Sequence, residues 1–212
     1  MANIKYSDLI DDVLPSLGAD PSDPVTEYAI KRACIEFCNL SWVWKHLPDP
    51  INVKGGQAYY DLESPADTDI SAVMDAAHNT VPLNSKSVAW LDAQLPGWRT
   101  SRAVPKYYTQ LDTEQLILAA VPDSDIKGGL TLTLALQPAQ SATGLPKWIF
   151  NQYLYTLADG AIARLMLMPN KPWTDLQNGS DRRAKFDAGI ANARASANAA
   201  LGRAAQRSEA AH

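Results

Sequence analysis

The sequence is short of most residue types that carry chemistry. Its 212 residues include two cysteines and three histidines. His46, His78 and His212 have no second His or Cys at metal-ligand spacing. There is no Gly-x-Ser-x-Gly elbow, no phosphate-binding Gly-Lys-Ser/Thr loop and no Gly-x-Gly-x-x-Gly. Asp123-Ser124-Asp125-Ile126-Lys127-Gly128 begins like a calcium loop, but it places Lys127 at a ligand position and Leu134 where the bidentate Glu belongs. An enzyme, a metal or a cofactor is therefore not expected. Long apolar runs are lacking too. The most apolar stretch, Ala161 to Met168, is eight residues and contains Arg164, whereas a membrane span needs about 20. Met1 to Ile10 shows no basic region followed by an apolar one, so no signal peptide is expected and synthesis is assigned to the cytosol. Positive charge is not in surplus. Nineteen Lys and Arg against 23 Asp and Glu give a net charge of −4, which speaks against a dedicated nucleic-acid binder.

What is present is globular in composition, 46% hydrophobic and 20% charged. A chain of this length buries about 70% of its unfolded surface without staples. The charge is divided unevenly. Residues 180–212 carry six basic residues (Arg182, Arg183, Lys185, Arg194, Arg203 and Arg207) against three acidic ones, a net +3. The rest carries 13 basic and 20 acidic residues, a net −7. One reading is a tail that meets something the body does not; the other is a solvated helix enriched in arginine by chance.

Hydrophobic periodicity predicts helices at both ends and strands between them. Ser7 can cap a short helix to Leu14. Asp23 as cap and Pro24 as first residue open a second helix to about His46, with Ile30, Ala33, Phe37, Leu40 and Trp44 as its stripe. Ile51 to Leu62 alternates about Gly55-Gly56 and reads as a hairpin. Leu116 to Ala120 and Leu130 to Leu136 read as strands, with leucines 130, 132, 134 and 136 on one face. Ser85 to Leu95 is either a short helix or an irregular crossing. A third helix opens at residues 143–146, with Phe150, Leu154, Leu157, Ala161, Leu165 and Met168 as its stripe. A fourth follows Thr174, with Phe186, Ile190, Ala193 and Ala197 in step; Gly179 and Gly189 each weaken it by about 1 kcal/mol. The expected fold is α+β: a helical bundle from the N- and C-terminal helices, an inserted small antiparallel β lobe and an extended C-terminal tail. The expected divisions are residues 1–48 (N-terminal helices), 49–140 (β lobe), 141–180 (bundle helix and turn) and 181–212 (C-terminal helix and basic tail).

Cys34 and Cys38 lie one helical turn apart with no histidine beside them and read as small core residues. The six tryptophans gather at element ends. Trp44 and Trp148 lie on or near apolar stripes and read as packing residues. Trp98 and Trp173, beside Gly97 and Pro172, read either as packing residues or as interface anchors.

The order of these features resembles a known family. Trp42-x-Trp44 closes the N-terminal helix, and Gly55-Gly56-Gln57-Ala58-Tyr59-Tyr60-Asp61-Leu62 follows. Next come Pro105-Lys106-Tyr107-Tyr108, the strand at Leu116 and a Leu/Thr strand ending at Pro138. Asp159-Gly160-Ala161-Ile162-Ala163-Arg164-Leu165 then leads into Pro169-Asn170-Lys171-Pro172-Trp173. Over roughly residues 5–205 this resembles the head-to-tail adaptors of short-tailed phages, the tail tubular A type. The resemblance implies a structural virion protein, a homo-oligomer of about twelve copies in a ring. That ring would join the portal of the head to the tail nozzle proteins, and genomic DNA would pass through it without specific binding. It implies no membrane and no catalytic residue. Arg182, Arg183, Lys185, Arg194, Arg203 and Arg207 become candidates for a portal or subunit interface, with Trp98 and Trp173 as candidate interface aromatics. Two alternatives stay open: another neck or tail-completion protein, and a DNA-binding packaging accessory.

Overall fold

The computed structural model of the chain describes residues 3–199. In chain order its elements are β1 (Asn3–Lys5), α1 (Ile10–Val13), α2 (Asp23–Ser41), β2 (Lys45–His46), β3 (Ile51–Val53), β4 (Tyr59–Asp61), β5 (Thr68–His78), β6 (Val81–Pro82), β7 (Asn84–Ser85) and α3 (Val88–Gln94). They continue with β8 (Tyr107–Thr109), β9 (Gln115–Ala119), β10 (Ile126–Pro138), β11 (Gly144–Pro146), α4 (Lys147–Met166) and α5 (Leu176–Ala199). Two 3-10 turns, Tyr6–Leu9 and Leu14–Ser16, flank α1. The chain divides into two compact units. One takes the stretches up to Trp44 and from Gln137 onward; the other is Lys45–Leu136.

In the first unit α2, α4 and α5 pack on one another. Ser22, not Asp23, caps α2. Its carbonyl accepts from the Val25 N–H at 2.9 Å and the Thr26 N–H at 3.1 Å. Asp23 and Pro24 fill the first turn, where a carboxylate suits the dipole and a missing N–H costs nothing. The helix ends at Ser41 rather than near His46. Trp42 turns left-handed (φ 57°) while donating its N–H to the Cys38 carbonyl at 3.1 Å. This frees Lys45 and His46 to pair with β10. α4 is broken by non-helical backbone at Tyr153 (φ −119°, ψ 17°). The break rotates the helix, so Phe150 and Leu154 are only half-buried, whereas Leu157, Ala161 and Leu165 reach the core.

The glycines that lower helix propensity allow α4 and α5 their close approach. A Cβ at Gly160 would stand 2.7 Å from the Phe186 ring, and one at Gly189 would stand 2.5 Å from Thr156 Cγ2. Phe186 is fully buried there, and Ile190, Ala193 and Ala197 continue the expected stripe. Cys34 and Cys38 lie in the same core as expected. Burial pushes the Cys34 thiol up to about 12 and Cys38 well above its ordinary value, so both stay protonated.

The second unit holds two sheets. One runs β2-β10-β5-β6, with β3 also on β10; the other runs β4-β9-β8-β7. The four alternate leucines of β10 are buried and Thr131 is exposed, as their spacing predicted. The predicted hairpin at Gly55-Gly56 does not form. β3 pairs with β10 (Ile51↔Leu130) while β4 pairs with β9 (Tyr60↔Leu116), so the turn joins two different sheets.

The fold expectation needs correcting. The chain is mixed α+β, but not a helical bundle carrying a small β lobe. Lys45–Leu136 is a unit in its own right, with two sheets and α3, and its β7–β8 pairing is parallel. A third sheet, β1 with β11, is built into the helical unit (Ile4↔Leu145). The eleven residues of β5 gave no strand pattern, because they include Asp69, Asp75 and three alanines. Pairing with β10 and β6 outweighs that poor propensity.

Candidate interaction surfaces

Carboxylates drawn from distant parts of the chain hold three of the helical unit's arginines, Arg164, Arg182 and Arg183. Glu36 on α2 receives Arg164 of α4 and also Arg183 of α5, the latter at 2.7 Å. Arg183 reaches Asp187 one turn onward as well, at 2.8 Å. Arg182 pairs with Asp159 of α4. Burial alone would raise the Glu36 carboxyl, but hydrogen bonds from Arg183 and Arg164 outweigh it and hold the group below its ordinary value. Arg183 is raised in turn, first by its hydrogen bond to Glu36. No sequence pattern pointed to Glu36. The available signal was a carboxylate set between Ile35 and Phe37, two core residues.

Above Glu36 lies a cleft of about 320 Å³ lined by Tyr28, Arg32, Arg164, Leu167, Met168 and Arg183. Among the described residues Arg32 has no hydrogen bond or ion pair, and Arg164 Nε is buried without a partner. Tyr28 is 60% exposed at the rim. The cleft is cationic with an apolar margin.

The other predicted interface residues are scattered. Lys185 is exposed on α5. Arg194 stacks on the Trp42 ring, 3.9 Å from its centroid. Arg203 and Arg207 lie outside the described residues. Trp173 is partly buried against the helical core, and its indole nitrogen is buried without a partner. Trp98 is buried in the β unit with Leu91, Ile117 and Val121. Its indole N–H donates to Asp92 at 2.9 Å, and Arg99 lies over its ring. Trp44 packs against the core as expected, whereas Trp148 is 39% exposed, contrary to its reading as a packing residue. The element ends that carried the sequence argument thus distribute the tryptophans between cores and surface.

On the β unit, Leu47, Tyr59, Val81, Val104 and Leu111 are exposed. A groove of about 550 Å³ runs beside Leu47, lined by His46, Ile51, Asp61, Glu63 and Leu132 among others. No group of three or more His, Cys, Asp or Glu among the described residues could hold a metal ion. No described helix is long and apolar enough to cross a membrane.

The charged cleft and the exposed apolar residues are surfaces available for contact. No curated protein matches the chain. A family model described as SU10 adaptor protein matches residues 4–211, nearly the whole length. The chain therefore belongs to the SU10 adaptor protein family and is a phage head–tail adaptor.

Proposed function

We propose that this adaptor forms a ring, of about twelve copies, between the portal of the phage head and the nozzle proteins of the tail, as in short-tailed phages of the tail tubular A type. The observation that carries the reading is the family match over residues 4–211. The charge division supports it. The body carries −7 and residues 180–212 carry +3. Of the basic residues in that stretch, Arg182 and Arg183 are held by carboxylates of their own unit. Lys185, Arg194, Arg203 and Arg207 are assigned to acidic groups of the portal. Twelve copies of net −4 would carry −48, and a lumen wall that shares this sign would repel DNA phosphates, so that the genome slides without sticking.

The test is to mix the protein with purified portal. Removing residues 200–212 leaves Leu176–Ala199 of α5 in place, so the truncated protein should keep its fold and lose portal binding. Undiminished binding would remove the tail from the interface. Failure of the full chain to bind portal would favour another neck or tail-completion role. Tight, steeply salt-dependent binding to DNA would instead favour a packaging accessory.

A further inference from the structure

The cationic cleft has a counterpart on the same unit. Residues 6–30 contain no Lys or Arg and six carboxylates: Asp8, Asp11, Asp12, Asp20, Asp23 and Glu27. The five aspartates are exposed, and none of the six forms an ion pair among the described residues. α1 packs on α2 and α4, and so does α5, but α1 and α5 have no substantial contact with each other. Asp8, Asp11 and Asp12, in and beside α1, therefore lie on a surface distinct from the one α5 covers. Among the described residues the six carboxylates and Arg32 have no ion-pair partner, whereas Arg164 and Arg183 are already held by Glu36. Arg32 is unpaired and Arg164 Nε is unpartnered in a cleft whose rim exposes Tyr28 and Leu167. Beside the aspartates, Pro15 and Pro24 are exposed and offer apolar surface of their own.

We infer that the acidic segment of one copy, residues 8–23, docks on the Arg32–Arg164–Arg183 cleft of the next. The inference rests on the ring reading above and names the surfaces that would meet within the ring. Two different, complementary patches on one unit make a heterologous contact, which repeats from copy to copy and closes when the rotation allows. Aspartate carboxylates would accept from the open Arg32 guanidinium, while the prolines cover Tyr28 and Leu167. Glu36 keeps Arg164 and Arg183 in place for this.

Charge reversal tests it on the full chain. Arg32→Glu breaks no bond within the chain, so its melting temperature should match the parent's. Self-association, followed by sedimentation over a concentration series, should weaken about tenfold or more. Asp11→Lys with Asp12→Lys should weaken it equally. Mixing the two variants should restore association, because every junction then pairs opposite charges. If Arg32→Glu disturbs the fold, Arg32→Gln should weaken association in the same direction. Association of the parent chain that ignores all these changes overturns the assignment and leaves the ring reading intact. A parent chain that forms no ring, either alone or on the portal, overturns the ring reading and this interface with it. Variants that self-associate normally but lose portal binding overturn it as well, and give the cleft to an acidic segment of the portal.

Discussion

The helical unit and the β unit are each held together internally by long-range contacts of a different kind. In the helical unit Glu36 ties together α2, α4 and α5, bonding to Arg164 and Arg183 far along the chain. Phe186 fills the space that Gly160 leaves open. In the β unit the side-chain hydrogen bonds that span the chain mostly engage backbone, as where Asp125 accepts from the Gly55 N–H and Asn52 from the Gly128 N–H, and the rest are local: Tyr60 to Gln57, Thr68 to Pro65, Trp98 and Arg99 to Asp92. Long-range order there comes from strand pairing. The difference suggests where each unit is vulnerable. The first depends on a few side chains that bring helices together; the second depends on backbone ladders that no single surface side chain controls.

The strongest way to break this contrast is Phe186→Ala. Loss of a fully buried aromatic ring from the α4–α5 contact should destabilise the helical unit by about 3–5 kcal/mol. Amide hydrogen exchange would check it. Protection should fall in α2, α4 and α5 while β9 and β10 keep theirs; equal loss in both units would defeat the distinction.

A smaller effect is expected from Glu36→Gln, which leaves Arg164 and Arg183 with a neutral partner and should cost about 1–2 kcal/mol. Its pH dependence carries a sign. The folded Glu36 carboxyl lies below its ordinary value, so its contribution is complete above that value. It is lost as pH falls through the folded one. Denaturation midpoints of the parent should therefore drop more steeply in acid than those of the Gln variant. Parallel curves would show that Glu36 does not couple the helices.

The smallest effect should come from Arg99→Ala in the β unit. The Arg99–Asp92 pair is about half exposed on both sides, and Trp98 keeps its own bond to Asp92. The thermal midpoint should not move measurably. A clear drop would mean that this surface pair supports the Trp98 core.

Much of the helical unit was legible because burial on a helix leaves a 3.6-residue trace. Phe186, Ile190, Ala193 and Ala197 show it, and so do Ile30, Ala33 and Phe37. The strands were legible where alternation was strong, as in the leucines of β10, or where a short apolar run stood between turns, as in β9. β5 was hidden by its aspartates and alanines, and the Gly55-Gly56 turn was misread because a turn does not say whether its two strands will pair with each other. The candidate surface was half legible. The arginines of α5 stood out by charge, but Arg32, Glu36 and Asp159 gained meaning only from their neighbours in space.

Local chemistry determined the elements that depend on nearby residues: where α2 begins, to within a residue of its cap, the buried face of each long helix, and the acid-rich and arginine-rich ends of the chain. The tertiary structure decided everything that depends on partners far apart in sequence. It split β3 from β4 between two sheets, drew β1 to β11, and converted weak-helix glycines into the α4–α5 contact. It also committed Arg164, Arg182 and Arg183 to carboxylates while leaving Arg32 open. The physical reason is that propensity and periodicity act over a few residues, whereas strand pairing, close helix approach and charge neutralisation are settled by whichever groups the fold brings within a few ångströms.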